Sequence, residues 1–113
     1  LFRSLFFSQV RIQGQLLDAV VDTGASTIAI SQQDADQIGL SYRDGRPVRI
    51  QTANGMAQGW RVKLDTVRLG DVQLYGLDAV VSPQPMPVLL GNNFLAEFRM
   101  TRHNDQMVLE KRP

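Results

Sequence analysis

The apolar positions of this chain fall in short runs separated by glycine, proline and Asn/Asp turns, a rhythm of strands rather than helices. Residues 6–12 read as a first strand, Gln13-Gly14 as a turn and residues 16–21 as a second strand. A short third strand is expected at residues 27–30. A helix follows, with Ser31 as N-cap, Asp34 three residues on as a weak capping-box variant, and Gly39 at the C′ position. The turn-rich stretch 41–47 then leads into a hairpin, because residues 48–52 and 56–64 flank Asn54-Gly55. Strands at 66–69 and 72–81 turn at Gly70-Asp71. Pro83, Pro85 and Pro87 exclude regular structure between residues 82 and 87. Val88-Leu89-Leu90 reads as a buried strand ending at Gly91. Asn92 or Asn93 is expected to cap a short helix running to Phe98. Residues 99–110 form a closing hairpin turning near Asn104-Asp105. The expected class is all-β with one or two short helices.

A weak repeat runs through this pattern. Val10-Arg11-Ile12 precedes Asp18-Ala19-Val20-Val21, and Val67-Arg68-Leu69 precedes Asp78-Ala79-Val80-Val81, with three more residues between the parts. Each copy leads into a special segment, Asp22-Thr23-Gly24 in the first and Leu89-Leu90-Gly91 in the second. An internal duplication is the expected origin.

Composition narrows the function classes. The 113 residues fit one domain spanning residues 1–113, and 43% hydrophobic with 20% charged residues is the balance of a folded core. A formal net charge of +1 gives no electrostatic case for a nucleic acid or an anionic membrane as partner. The absence of cysteine excludes thiol catalysis, disulfides and thiolate metal sites. His103 is the only histidine and sits in an expected turn, so neither a metal nor a cofactor is expected. No apolar run approaches the ~20 residues that span a bilayer. Leu1 in place of Met suggests a fragment or processed form that a signal peptide or membrane anchor could precede.

The segment Leu16 to Ser31, LLDAVVDTGASTIAIS, carries the chemistry. An apolar strand delivers Asp22 onto a turn of small residues. Gly24 lets backbone and substrate approach closely, and Thr23 and Ser26 can lock the turn. A bare Asp-Thr-Gly occurs by accident in many loops. Framed by apolar strands on both sides it is far more specific.

With these residues in place the chain resembles the retropepsin-like aspartic proteases, above all their single-lobe bacterial forms. Four features match in order. VVDTGAS resembles the catalytic loop and SQQDADQIGL the helix after it; QTANGMAQGW stands where the flap belongs, and VLLGNNFL resembles the strand and helix under the catalytic loop. The resemblance implies a closed, β-barrel-like acid-protease fold with an internal two-fold. It also implies peptide hydrolysis by two carboxylates sharing a water, one as base and one as acid. This chain has one Asp-Thr-Gly: Asp65-Thr66 is followed by Val67, and Asp78 by Ala79. The second carboxylate must therefore come from another copy, which places Asp22 opposite its own mate in a C2 homodimer.

By the same resemblance, Thr23 braces the two loops across the dimer axis and Gly24 and Ala25 contact substrate backbone. Thr52, Ala53, Asn54 and Gly55 form the flap tip over an extended peptide. Retroviral enzymes also carry alanine at the Ala25 position, where pepsin-like lobes have Ser or Thr. This implies a pH optimum less acidic than a digestive enzyme's, and a pH–rate profile still climbing at the most acidic point would contradict it. Ala53-Asn54-Gly55-Met56 departs from the usual glycine-rich flap, and the closing hairpin departs from a single C-terminal strand. Trp60 is expected to pack beneath the flap, and Phe2, Leu5, Phe6 and Phe7 to anchor a dimer strand or join the core. Relatives of the bacterial type are often membrane-tethered, so a periplasmic or membrane-associated place follows from the resemblance alone. Two other readings stay open. One is a catalytically silent retropepsin-like domain used for binding or dimerisation; the other is a small β-barrel ligand module, which explains the composition but not the ordered motifs.

Overall fold

The computed structural model describes residues 6–104 and 106–113. Strand β1 (Phe6–Ile12) turns through Gln13-Gly14 into β2 (Gln15–Val21). Both turn residues have positive φ, 52° and 80°, the geometry whose twist matches the strands it joins. After the Asp22 turn come β3 (Ile28–Ser31) and helix α1 (Gln32–Gln37). The Ser31 hydroxyl accepts from the Asp34 N–H at 3.0 Å. At the other end Gly39 has φ 71°. There the Leu40 N–H reaches Ala35 O and the Gly39 N–H reaches Asp36 O, the paired bonds of a Schellman stop.

Strands β4 (Arg46–Thr52) and β5 (Gly55–Leu69) form the long central hairpin, followed by β6 (Val72–Ser82) and β7 (Val88–Leu90). Helix α2 (Asn92–Leu95) leads to the two-stranded sheet of β8 (Phe98–His103) and β9 (Gln106–Lys111). The main sheet has the order β1-β2-β7-β3-β6-β5-β4. A further pairing of β1 with β5 closes six of these strands into a barrel and leaves β4 on its rim. The all-β class and the closed barrel are as expected.

The two copies of the repeat interlock inside this barrel. Arg11 and Arg68, equivalent in the repeat, face each other across β1 and β5. Residues 19–21 of the first copy run parallel to β7, which follows the second. Residues 79–82 of the second run parallel to β3, which follows the first. Each half thus supplies a strand to the other's sheet.

Three boundaries differ from the sequence reading. The strands expected at 56–64 and 66–69 are one, β5, whose pairing with β6 skips only Asp65 and Gly76. The Gln13 side chain fills that gap: its Oε1 accepts from the Asp65 and Thr66 N–H groups at 2.8 and 3.2 Å. Strand β4 begins at Arg46, through Pro47, which a rim strand tolerates because its missing N–H faces no neighbour. Helix α2 ends at Leu95 rather than Phe98, and its N-cap is Gly91, not Asn92 or Asn93. The closing hairpin turns where expected, at Asn104 with φ 55°; Asp105, Phe2 and Leu5 lie outside the described residues.

Alternation sends Val10, Ile12, Leu17, Ala19, Val21, Ile28, Ile30, Ala79, Val81, Val88 and Leu90 into the barrel. Phe94, Leu95 and Phe98 pack with them, the two phenyl rings 5.0 Å apart. Such an aromatic pair adds about 1 kcal/mol beyond its buried area. Trp60 packs against the same core and lies 5.3 Å from the Tyr42 ring, so it is a packing residue at the base of the hairpin. Burial pushes the Tyr42 phenol above its ordinary range, with the nearby Asp36 carboxylate acting the same way. Phe6 packs on the core, whereas Phe7 is 70% exposed. No helix among the described residues is long and apolar enough to cross a membrane.

Candidate active site

Strand β2 ends at Val21, opposite Leu90, and the ladder continues one step because the Asp22 N–H donates to Leu90 O at 3.1 Å. The chain then turns. The Ala25 N–H donates to Asp22 O at 3.2 Å, and the Gly24 N–H donates to the Asp22 carboxylate Oδ1 at 2.9 Å. Asp22 is half-buried, while Thr23 and Gly24 are exposed at the crest. Among the described residues nothing donates to Oδ2. The structure therefore presents one carboxylate with one oxygen held and the other open.

The turn rests on the start of α2. The first N–H groups of any helix lack partners within it, and Gly91 has no side chain to cap them. Here the Asn92 N–H donates to Ala25 O at 2.8 Å and the Asn93 N–H to Ser26 O at 3.1 Å. The loop carbonyls are the cap. Gly91 is obligatory in this arrangement, because a Cβ there would collide with the Thr27 backbone.

Both asparagine side chains extend the brace. The Asn92 NH2 donates to Thr23 O at 2.9 Å. Asn93 joins two strands: Oδ1 accepts from the Ile28 N–H at 3.0 Å, and the NH2 donates to Asp78 O at 2.8 Å. The sequence reading took these residues as helix caps and, by resemblance, put their helix under the catalytic loop, but nothing in their spacing to Thr23 or Ile28 announces the individual contacts. Ile28 is fully buried, so truncating Asn93 leaves its N–H with neither protein nor water. An Asn93→Ala variant is expected to lose about 2–3 kcal/mol, measured by urea unfolding; a loss below about 0.5 kcal/mol would overturn the bridging role.

Register reveals a second feature. Phe7 pairs with Val20, Val20 with Leu89, Leu89 with Ala29 and Ala29 with Val80. This apolar row crosses five strands, and none of its members belongs to the core cluster. It lies on the opposite sheet face, the one to which alternation also assigns Asp22, two residues after Val20. The row ends on a pair of arginines, Arg61 beside Val80 and Arg46 beside Arg61. Unbroken apolar runs at Val20-Val21 and Val88-Leu89-Leu90 were the sequence signal, since a strand apolar on both faces has two faces to cover.

The hairpin tip is where the sequence placed it, with one change. Thr52 pairs with Gly55, so the two turn residues are Ala53 and Asn54 rather than Asn54 and Gly55. Asn54 lacks the positive φ of a primed turn, and Gly55 carries it instead at 104°. The Thr52 hydroxyl closes the turn, donating to Gly55 O at 2.7 Å and accepting from the Asn54 N–H at 3.3 Å. No hydrogen bond among the described residues joins this tip to residues 22–25. Nor do the described residues gather three or more metal-ligating side chains.

Known proteins share this fold. The barrel superimposes on the crystal structure of a retropepsin-like aspartic protease from Rickettsia conorii with a TM-score of 0.79 and 26% identity, covering 93% of this chain and 81% of that one. It also matches the EIAV protease complexed with the inhibitor HBY-793, with a TM-score of 0.65 and 19% identity over 81% of this chain and 86% of that one. An uncharacterized Sinorhizobium protein, encoded in the cobV 5′ region, is 34% identical over 98 residues. That stretch is 84% of this chain and 42% of the relative, so the chain spans about two-fifths of that protein's length. The fold is retropepsin-like, and because residues 8–97 match its family model, the chain belongs to the "gag-polyprotein putative aspartyl protease" family.

Proposed function

We propose that this chain is an aspartic endopeptidase subunit that hydrolyses peptides only as a homodimer, with one Asp22 from each copy. The observation that carries this is the half-open Asp22 carboxylate on an exposed Thr23-Gly24 crest, in a chain with a single such turn. Two carboxylates about 3 Å apart cannot both ionise, so the pair holds one proton. The ionised member takes a proton from the bridging water as it attacks the peptide carbonyl. The protonated member first hydrogen-bonds the carbonyl oxygen, and the leaving nitrogen receives its proton as the C–N bond breaks.

Thr23 braces the two crests against each other, and Gly24 and Ala25 offer backbone to the substrate. Thr52, Ala53, Asn54 and Gly55 close over an extended peptide, held as an added strand. The apolar row through Val20, Leu89 and Ala29 supports a preference for apolar side chains beside the scissile bond. The substrate class is therefore extended peptides or flexible protein segments.

The test is concentration. Cleavage of a peptide library by the purified chain is expected to show a specific activity that falls on dilution, in step with dimer dissociation measured by sedimentation. Constant specific activity at concentrations where only monomer sediments would sink the shared-site mechanism. A dimer that cleaves nothing would favour a binding domain.

A further inference from the structure

The peptide group between Thr23 and Gly24 is held at both polar ends. Its carbonyl accepts from the Asn92 side chain at 2.9 Å, and its N–H donates to Asp22 Oδ1 at 2.9 Å. A carbonyl can only accept, so the Asn92 atom facing it is the NH2. The three groups form one chain running from Asn92 through a single planar amide to the carboxylate.

We infer that Asn92 is a positioning residue for Asp22, acting through this amide; the inference rests on the proteolytic reading above. Two physical effects support it. A peptide is planar, so fixing its C=O also fixes where its N–H points. An amide hydrogen-bonded at oxygen is a stronger donor at nitrogen, because linked hydrogen bonds polarise one another. The residue on the far side of the amide is Gly24, which resists backbone rotation least of all residues. Thr23 and Gly24 are both exposed, so packing does not hold the plane. The other bonds from α2 reach the loop beyond this amide, at Ala25 O and Ser26 O, and come from backbone N–H groups. Removing the Asn92 side chain leaves those intact. The role is thus separable from the general support of the loop, and Asn93, bonded to Ile28 and Asp78, has no share in it.

The experiment compares the unaltered chain with Asn92→Ala and with Asn92→Leu, which nearly keeps the side-chain shape and loses the donor. The first readout needs no substrate: the amide proton shift of Gly24 in the 15N-labelled protein. It is expected to move upfield in both variants as its bond to Asp22 weakens, while Gly14, at the opposite end of β2, stays put. The second readout is peptide cleavage. Here kcat is expected to fall about tenfold, the size of one net hydrogen bond, with KM within about twofold. An unmoved Gly24 amide in a native spectrum, or a rise in KM with kcat unchanged, overturns the positioning role. If the unaltered chain cleaves no peptide and the Gly24 amide still moves, the proteolytic reading falls while the link from Asn92 to Asp22 stands.

Discussion

Exchanging Asp22 for asparagine is expected to lower peptide hydrolysis by about 10⁴-fold, the usual scale for losing one member of a catalytic set. The fold should be untouched. An asparagine side-chain oxygen can still accept from the Gly24 N–H, the one hydrogen bond the Asp22 side chain makes among the described residues. What disappears is the capacity to take and return a proton, in both halves of the proposed dimer at once. The thermal midpoint is therefore expected to stay within a few degrees. Dimer association should be equal or tighter, because two carboxylates must take up a proton to come together at the axis and two amides need none. Cleavage assays on fluorogenic peptides, with calorimetry and sedimentation on the same samples, give all three quantities. Activity within tenfold of the unaltered chain would remove Asp22 from the chemistry.

The largest stability effect is expected at Gly91, which touches no substrate. Any side chain there drives a Cβ into the Thr27 backbone. A backbone obstacle cannot rotate away as the tip of a side chain can, so β3 and α2 must separate. Their separation also strains the bonds from Asn92 and Asn93 to Ala25 and Ser26. Gly91→Ala is expected to cost about 3 kcal/mol, equivalent to a fall of roughly 10 °C or more in Tm for a domain of this size. Any variant that still folds should also lose kcat, because the turn that carries Asp22 rests on the displaced helix. A loss below about 1 kcal/mol would show that the contact relaxes easily.

Much of this molecule was legible in its residue pattern. The Ser31 cap, the Gly39 stop and the hairpin around Asn54 depend on interactions within a few residues, where sequence is informative, and so do the bonds inside the Asp22 turn itself. The breaks at Asp65 and Pro47 were less so. Asp65 reads as an interruption of β5, yet Gln13 reaches across from the first turn and supplies acceptor and donor at the gap. Pro47 looks like a terminator until β4 is known to lie on the rim. The roles of Asn92 and Asn93 were hidden for the same reason: their partners Thr23 and Ile28 are 69 and 65 residues away. A local reading sees a helix cap; the resemblance puts the loop over that helix but does not say which atoms meet. The apolar row from Phe7 to Val80 likewise exists only once the strand order is known.

The interleaving of the two halves has a consequence for when activity can arise. Asp22 is synthesised before the strand beneath it and the helix under its turn, which are residues 88–95, beyond the whole central hairpin. A nascent polypeptide ending before that point carries the acid without the platform that aims it. On the proposed mechanism, therefore, the site is assembled only after most of the barrel has been synthesised and closed.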